Sequence, residues 1–201
     1  QVDRTGTQHE DHTFPENIFP FSTAFMEDPI TCKTGSLFRY DGFDPLWMET
    51  NTSTEYWQKG ASLLGTDPLG RRDVELPPNA RSYLIAGTAH GGKAWMTPKR
   101  GACVSPSNPH SPTPAQRALL VALDEWVSEG KAPPDSRTPH IQEGTLTTPE
   151  QLEFPAVPGM PTKCRMNEFG VLHDWIKPEM DMTKPYHPPV PRVDADGKET
   201  A

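Results

Sequence analysis

The chain is poor in apolar residues and in clustered positive charge. Aliphatic, aromatic, methionine and cysteine residues make up only 34% of its 201 residues, and its longest apolar runs fall far short of the roughly 18 residues that a membrane-spanning helix needs. Nineteen Lys and Arg residues stand against 27 Asp and Glu residues, which gives a formal charge of −8 without a basic cluster. We therefore expect neither a membrane span nor binding to nucleic acid.

Cysteine is scarce and proline is abundant. The three cysteines, Cys32, Cys103 and Cys164, are widely spaced, fit no zinc-binding pattern and leave at least one thiol unpaired within the chain. His9 and His12 stand three residues apart, but a flexible polar segment explains them better than a metal site does. Twenty-four prolines, about twice the usual frequency, indicate much extended chain. No cofactor or metal is predicted.

Composition divides the chain into three segments within one expected domain. Residues 1–43 mix polar and aromatic residues without a period of 2 or 3.6, which indicates surface loops. Residues 44–131 predict a strand near 45–50, a helix, a strand near 82–87 and a second helix. Residues 132–201 predict a proline-rich extended wrap that is cut short after the Asp-Gly turn signal in "VDADG". The fold class predicted is α/β.

The second helix has the clearest signals in the sequence. In "TPAQRALLVALDEWVSEG", Thr113 is the predicted N-cap, and Gly130 marks the end. Apolar residues recur at steps of three and four, which predicts a face packed on a sheet; they are Leu119, Leu120, Leu123, Trp126 and Val127.

Two polar residues follow the ends of the two predicted strands. Glu55 comes after "PLWMETNTST" and His90 after "YLIAGTA". Because the carboxyl ends of parallel strands lie at one edge of a sheet, both side chains can reach the same place. A carboxylate that orients an imidazole makes up two thirds of a hydrolytic triad. The Gly-x-Ser-x-Gly elbow that would carry the nucleophile does not occur in the sequence.

Each of these residues also has a structural interpretation. Thr52-x-x-Glu55 is a capping-box pattern, so Glu55 can simply satisfy backbone donors at the start of a helix. His90 can be a turn or packing residue. The stretch "HGG", His90 to Gly92, also matches the oxyanion-hole motif of lipases, although that motif precedes a nucleophile elbow and none follows here. Tyr56 and Trp57, beside Glu55, can pack the core or bind substrate. These alternatives stay open on the residues alone.

The stretches "NTSTEYWQKGASLLGTDPLGRRDVELPPNARSYLIAGTAHG" and "RALLVALDEWVSEGKAPPDSRTPHIQEGTL" closely resemble the C-terminal half of a group of large, mostly bacterial alpha/beta-hydrolase-domain proteins. The resemblance runs from about Phe19 to the end. It implies that Glu55, in "STEYW", is the triad acid and that His90, in "GTAHG", is the triad base. It also implies a catalytic serine and an oxyanion hole in an N-terminal half that is absent here.

The resulting prediction is the C-terminal part of a serine hydrolase acting on a carboxylic ester or a related acyl bond. Its predicted partners are an N-terminal half or a companion chain that carries the serine, and a small acyl-ester substrate; the chain alone is expected to be inactive. The alternatives are a non-catalytic fragment that binds another chain and a relative that has lost catalysis. Because hydrolases of this kind are often exported, we expect a secreted or periplasmic location, with a cytoplasmic one as the alternative.

Overall fold

The computed structural model describes residues 18–90, 108–156, 158, 169–173, 176 and 180–201. Within them the chain forms two α-helices, two short 3₁₀ helices and eight strands. The strands pair as four two-stranded sheets, β1 with β2, β3 with β4, β5 with β8, and β6 with β7. The bounds are β1 Met26–Asp28, β2 Lys33–Gly35, β3 Trp47–Thr52, α1 Ser53–Gln58, β4 Ala80–Ile85, α2 Thr113–Glu129, β5 Leu146–Thr147, β6 Phe169–Leu172, β7 Met180–Tyr186 and β8 Val190–Pro191, with the 3₁₀ helices at Ala61–Leu64 and Pro149–Gln151.

The β3–β4 pair is the part of the fold that positions the candidate site. The two strands run parallel, with Trp47 opposite Ala80 and Thr52 opposite Ile85. Parallel strands need a crossover connection, which α1 and the first 3₁₀ helix supply here. The predicted strand, helix, strand order is therefore found, and both strands end at the same edge. On its other side β4 pairs with Arg137 through a parallel bridge at Tyr83.

Helix α2 ends at the predicted residue and begins one residue earlier than predicted. Gly130 adopts the left-handed conformation, with φ of 71°, and closes the helix. Thr113, predicted as the N-cap, is already the first helical residue, and Pro112 precedes it at the cap position. The Thr113 N–H donates to Ser111 Oγ at 3.2 Å, so a serine upstream satisfies the first backbone donor of the helix.

The apolar face of α2 is only partly covered. Trp126 is buried, and the Arg81 guanidinium of β4 lies 5.3 Å from the centre of its ring. Leu120, Val121 and Val127 are 66%, 60% and 66% exposed. Among the described residues, the packing on a sheet that was expected of Leu120 and Val127 is therefore not seen, and Val121 lies outside the predicted face. Two paired strands lie only about 4.8 Å apart, so the β3–β4 pair is too narrow to cover the helix.

The first described segment contains structure that the sequence pattern did not predict. The segment expected to be loops holds the β1–β2 hairpin, and its residues Phe19, Ala24 and Met26 form a small buried cluster. Strands of three residues are too short to show a period of two. Asp28, fully buried at the end of β1, accepts a 2.7 Å hydrogen bond from the Tyr186 hydroxyl and so joins this hairpin to β7.

The proline-rich C-terminal segment forms short strands and a hairpin. β7 runs for seven residues and pairs with β6. The predicted Asp-Gly turn is found: Gly197 has φ of 79°, and Val193 and Glu199 form an antiparallel bridge across it. Glu199 is thereby brought back toward the rest of the domain. Among the described helices, none combines the length and apolar character required to cross a bilayer.

Candidate active site

Glu55 and His90 lie at the edge where the parallel strands end. Helix α1 starts directly after β3, which puts Glu55 at its third residue. β4 ends at Ile85, and a short turn carries the chain to His90. The sheet-edge argument predicted this meeting point, and the structure brings the two side chains together.

The two side chains form a short hydrogen bond. Glu55 Oε1 lies 2.6 Å from His90 Nδ1. A carboxylate only accepts, so Nδ1 carries the proton, and in the neutral ring Nε2 keeps a free lone pair. The Glu55 side chain is 11% exposed, whereas that of His90 is 76% exposed. The arrangement is a buried acid that orients an accessible base.

The same carboxylate also caps the N-terminus of helix α1. Glu55 Oε2 accepts hydrogen bonds from the Thr52 backbone N–H at 2.6 Å and from the Thr52 hydroxyl at 2.5 Å. The capping interpretation and the triad interpretation of Glu55 are therefore compatible in one geometry, because each uses a different oxygen. With hydrogen bonds on both oxygens, the orientation of the carboxylate is fixed.

Backbone contacts tie the His90 turn to the start of α1. The Ser53 N–H donates to the Thr88 carbonyl at 3.1 Å, and the His90 N–H donates to Thr54 Oγ1 at 3.1 Å. The Thr88 hydroxyl in turn bonds the Ile85 carbonyl at 2.5 Å. Thr54 was not singled out from the sequence, where its position between Thr52 and Glu55 is the only signal.

Tyr56, predicted as a substrate-binding residue, lies in the core. It is 4% exposed, and burial raises the pKa of its hydroxyl well above the usual value, with the negative charge of Glu49 adding to the effect. Glu49 projects from β3 and accepts a 2.7 Å hydrogen bond from Ser82 Oγ of β4. Burial raises its pKa above the ordinary 4.5 despite that hydrogen bond. Tyr56 thus has the surroundings that the core-packing interpretation describes.

Trp57, the second predicted substrate-binding residue, is half-buried beside the pair. Its ring packs edge to face on Phe154, with 6.3 Å between the centroids. Its Nε1–H donates to Glu199 Oε1 at 2.5 Å. The sequence did not point to Glu199, since the turn signal at Asp194–Gly197 predicts a hairpin without showing which part of the domain the hairpin contacts.

The residues of the described ranges include no group of three or more His, Cys, Asp and Glu side chains suited to a metal ion. The "DADG" stretch is the hairpin turn, in which Asp194 Oδ1 accepts from the backbone N–H groups of Asp196 and Lys198, at 2.9 Å each. His9 and His12, and the two glycines after His90, lie outside the described residues.

Comparison with known families agrees with this geometry. A family model described as "Alpha/beta hydrolase domain" matches residues 27–199, which is most of the chain and includes both members of the pair. Comparisons with curated proteins and with solved structures gave no match. The chain belongs to the alpha/beta hydrolase domain family.

Proposed function

We propose that the chain supplies the acid and the histidine of a serine-hydrolase triad that cleaves carboxylic esters or related acyl bonds. The observation that carries this proposal is the 2.6 Å contact between Glu55 Oε1 and His90 Nδ1 at the shared edge of β3 and β4. Membership of the alpha/beta hydrolase domain family supports a hydrolytic reaction in general.

In this mechanism His90 is the general base and then the general acid. Nε2 takes the proton of a serine hydroxyl as its oxygen attacks the carbonyl carbon, and then gives that proton to the departing alcohol. Water attacks the acyl-enzyme by the same route, releasing the acid and restoring the serine. Glu55 stays ionised throughout, holds Nδ1–H and stabilises the imidazolium that forms.

The nucleophile is assigned to a serine outside the described residues. Within the described ranges, the hydroxyl groups of Thr52 and Thr54 contact the pair, and both have other roles: that of Thr52 donates to Glu55, and that of Thr54 accepts the His90 backbone N–H. The proposal places the serine and the oxyanion hole in an N-terminal part or a companion chain, so that this chain alone does not turn over substrate. Trp57 stays the better candidate for substrate contact, since Tyr56 has little exposed surface.

A second candidate is a non-catalytic subunit that binds another polypeptide. The exposed apolar side chains of α2, Leu120, Val121 and Val127, favour association with a partner surface. A relative that binds ligand without turnover would keep the same fold. The predicted secreted or periplasmic location, with the cytoplasm as the alternative, is a proposal that subcellular fractionation tests.

The deciding experiment is fluorophosphonate labelling of the purified chain with any polypeptide that co-purifies, read by intact-mass spectrometry. We expect a label on a serine of a companion polypeptide, lost in His90→Ala. His173→Ala is the matched control, since His173 pairs with Asp181 away from the site. Labelling that is absent, or that survives His90→Ala, contradicts the proposal and favours the non-catalytic subunit.

A further inference from the structure

One carboxylate near the end of the chain bridges the two elements that carry the Glu55–His90 pair. Glu199 Oε1 accepts the Trp57 Nε1–H at 2.5 Å, and Glu199 Oε2 accepts the Gly87 backbone N–H at 2.8 Å. Trp57 follows Glu55 by two residues on α1, and Gly87 precedes His90 by three residues in the turn after β4. The mechanism proposed above does not use Glu199.

The tail hairpin holds Glu199 in place. Glu199 forms an antiparallel bridge with Val193, and the Thr200 N–H donates to the Arg192 carbonyl at 2.9 Å. At the turn, a Cβ on Gly197 would lie 3.1 Å from the Phe154 ring, which shows how closely the hairpin packs. Since Phe154 also contacts Trp57, the hairpin meets α1 through a ring contact as well as a hydrogen bond.

The peptide groups of Gly87 are fixed from two sides. Its N–H is held by Glu199, and its carbonyl accepts from Asn108 Nδ2 at 2.8 Å and from His110 Nδ1 at 3.1 Å. Gly87 has φ of 68°, a conformation that only glycine adopts without strain. The path of the turn, and with it the place where His90 emerges, thus depends on this group of contacts.

From these contacts we infer that Glu199 is a positioning residue, which sets the geometry of the Glu55–His90 hydrogen bond by clamping α1 to the His90 turn. The inference rests on the proposed function for its meaning. Because catalysis tolerates little displacement of its groups, a clamp on both elements is a direct way to keep Nδ1 aimed at Oε1. Glu199 acts through Trp57 and Gly87 and does not touch the reacting atoms.

The test is the tautomer ratio of His90, read from the ring ¹⁵N chemical shifts of the neutral imidazole in the full chain. In the wild type the Glu55 contact favours Nδ1–H. In Glu199→Ala the ratio of Nδ1–H to Nε2–H should fall roughly fivefold, the factor that corresponds to one net hydrogen bond. In Glu199→Gln, which keeps the shape and one acceptor oxygen, the ratio should fall less. Asp196→Asn is the control, because it removes a charge from an exposed position of the same hairpin.

Thermal unfolding of the same variants separates positioning from simple stabilisation. If Glu199→Ala and Glu199→Gln lower the melting temperature while the His90 tautomer ratio stays at the wild-type value, Glu199 is structural only and the inference is overturned. If Glu199→Ala does not fold, the Glu199→Gln result decides alone. This readout needs no serine, so a failed fluorophosphonate experiment would refute the proposed function without affecting the test of the clamp.

Discussion

Glu55 Oε1 and His90 Nδ1 lie 2.6 Å apart although 35 residues separate them in the chain. Replacing Glu55 by Gln offers the imidazole an amide N–H₂ in place of a carboxylate oxygen. Nδ1 then becomes the acceptor, and the proton moves to Nε2, where it blocks the general-base role proposed for His90. Substitutions of this kind in triads lower turnover by about 10⁴-fold.

We therefore expect Glu55→Gln to shift His90 to the Nε2–H tautomer and to slow fluorophosphonate labelling of the proposed companion serine by about 10³–10⁴-fold. Ring ¹⁵N shifts and time-resolved intact mass measure the two effects. Glu75→Gln, at an exposed position, is the matched control. Wild-type labelling rates in Glu55→Gln would show that Glu55 serves only as a helix cap.

Tyr186→Phe tests the hydrogen bond that links β7 to the β1–β2 hairpin. The change removes the hydroxyl that donates to the buried Asp28 carboxylate at 2.7 Å. Leaving a buried acceptor one donor short costs about 1–3 kcal/mol of the free energy of unfolding, which urea denaturation measures. The control is Tyr40→Phe, whose hydroxyl donates to the Thr23 carbonyl from a half-exposed ring. Equal losses in both variants would contradict the expectation that the buried Tyr186–Asp28 hydrogen bond contributes more to stability than the hydrogen bond from Tyr40.

Glu49→Gln should change how stability depends on pH. Burial raises the pKa of Glu49 in the folded chain above its ordinary 4.5, so the folded state binds a proton more tightly than the unfolded state does. The contribution of Glu49 to the free energy of unfolding is fully present below pH 4.5, the ordinary pKa. It is lost as the pH rises through the raised pKa of the folded state. Relative to Glu49→Gln, the wild type should lose free energy of unfolding as pH increases over that range. Urea denaturation at several pH values, with Glu75→Gln as control, measures it; parallel curves would refute the expectation.

Alanine substitutions at two glycines distinguish the cost of backbone strain from the cost of steric overlap. Gly60 and Gly130 have φ of 62° and 71°, so Ala at either position costs about 1–2 kcal/mol for the left-handed conformation. A Cβ at Gly60 would lie 2.9 Å from Phe169 Cε2 and 2.9 Å from Pro188 Cγ, whereas nothing lies within 4 Å at Gly130. Gly60→Ala should therefore lose about 1–3 kcal/mol more than Gly130→Ala in urea denaturation. Equal losses would mean that the surroundings of Gly60 move aside freely.

The sequence predicts the elements of this site better than it predicts their surroundings. The β3, α1 and β4 order follows from local patterns, and the sheet-edge rule brings Glu55 and His90 together without knowledge of any longer contact. The family resemblance implies the roles of triad acid and triad base that the proposal assigns to them. Gly130 and the Asp-Gly turn are found because single residues with special backbone conformations mark them.

What the sequence does not predict depends on contacts between distant segments. Glu199 meets Gly87 across 112 residues, and Tyr186 meets Asp28 across 158. No periodicity encodes such pairs, since a hairpin signal gives the turn and not the surface on which the hairpin packs. The apolar face of α2 is predicted from its pattern, but the sheet expected to cover it is not found over Leu120 and Val127 in the described part of the chain.

The two hydrogen-bonding roles of Glu55 limit how this site can change in evolution. Hydrolytic triads occur with either aspartate or glutamate as the acid. Here one carboxylate must reach the Thr52 N–H and the His90 ring together, at 2.6 Å each. Aspartate, shorter by one methylene, reaches one of them only by releasing the other. Glutamine also completes a capping box, so a chain with Gln at this position would keep the start of helix α1 while losing the carboxylate that faces the His90 ring.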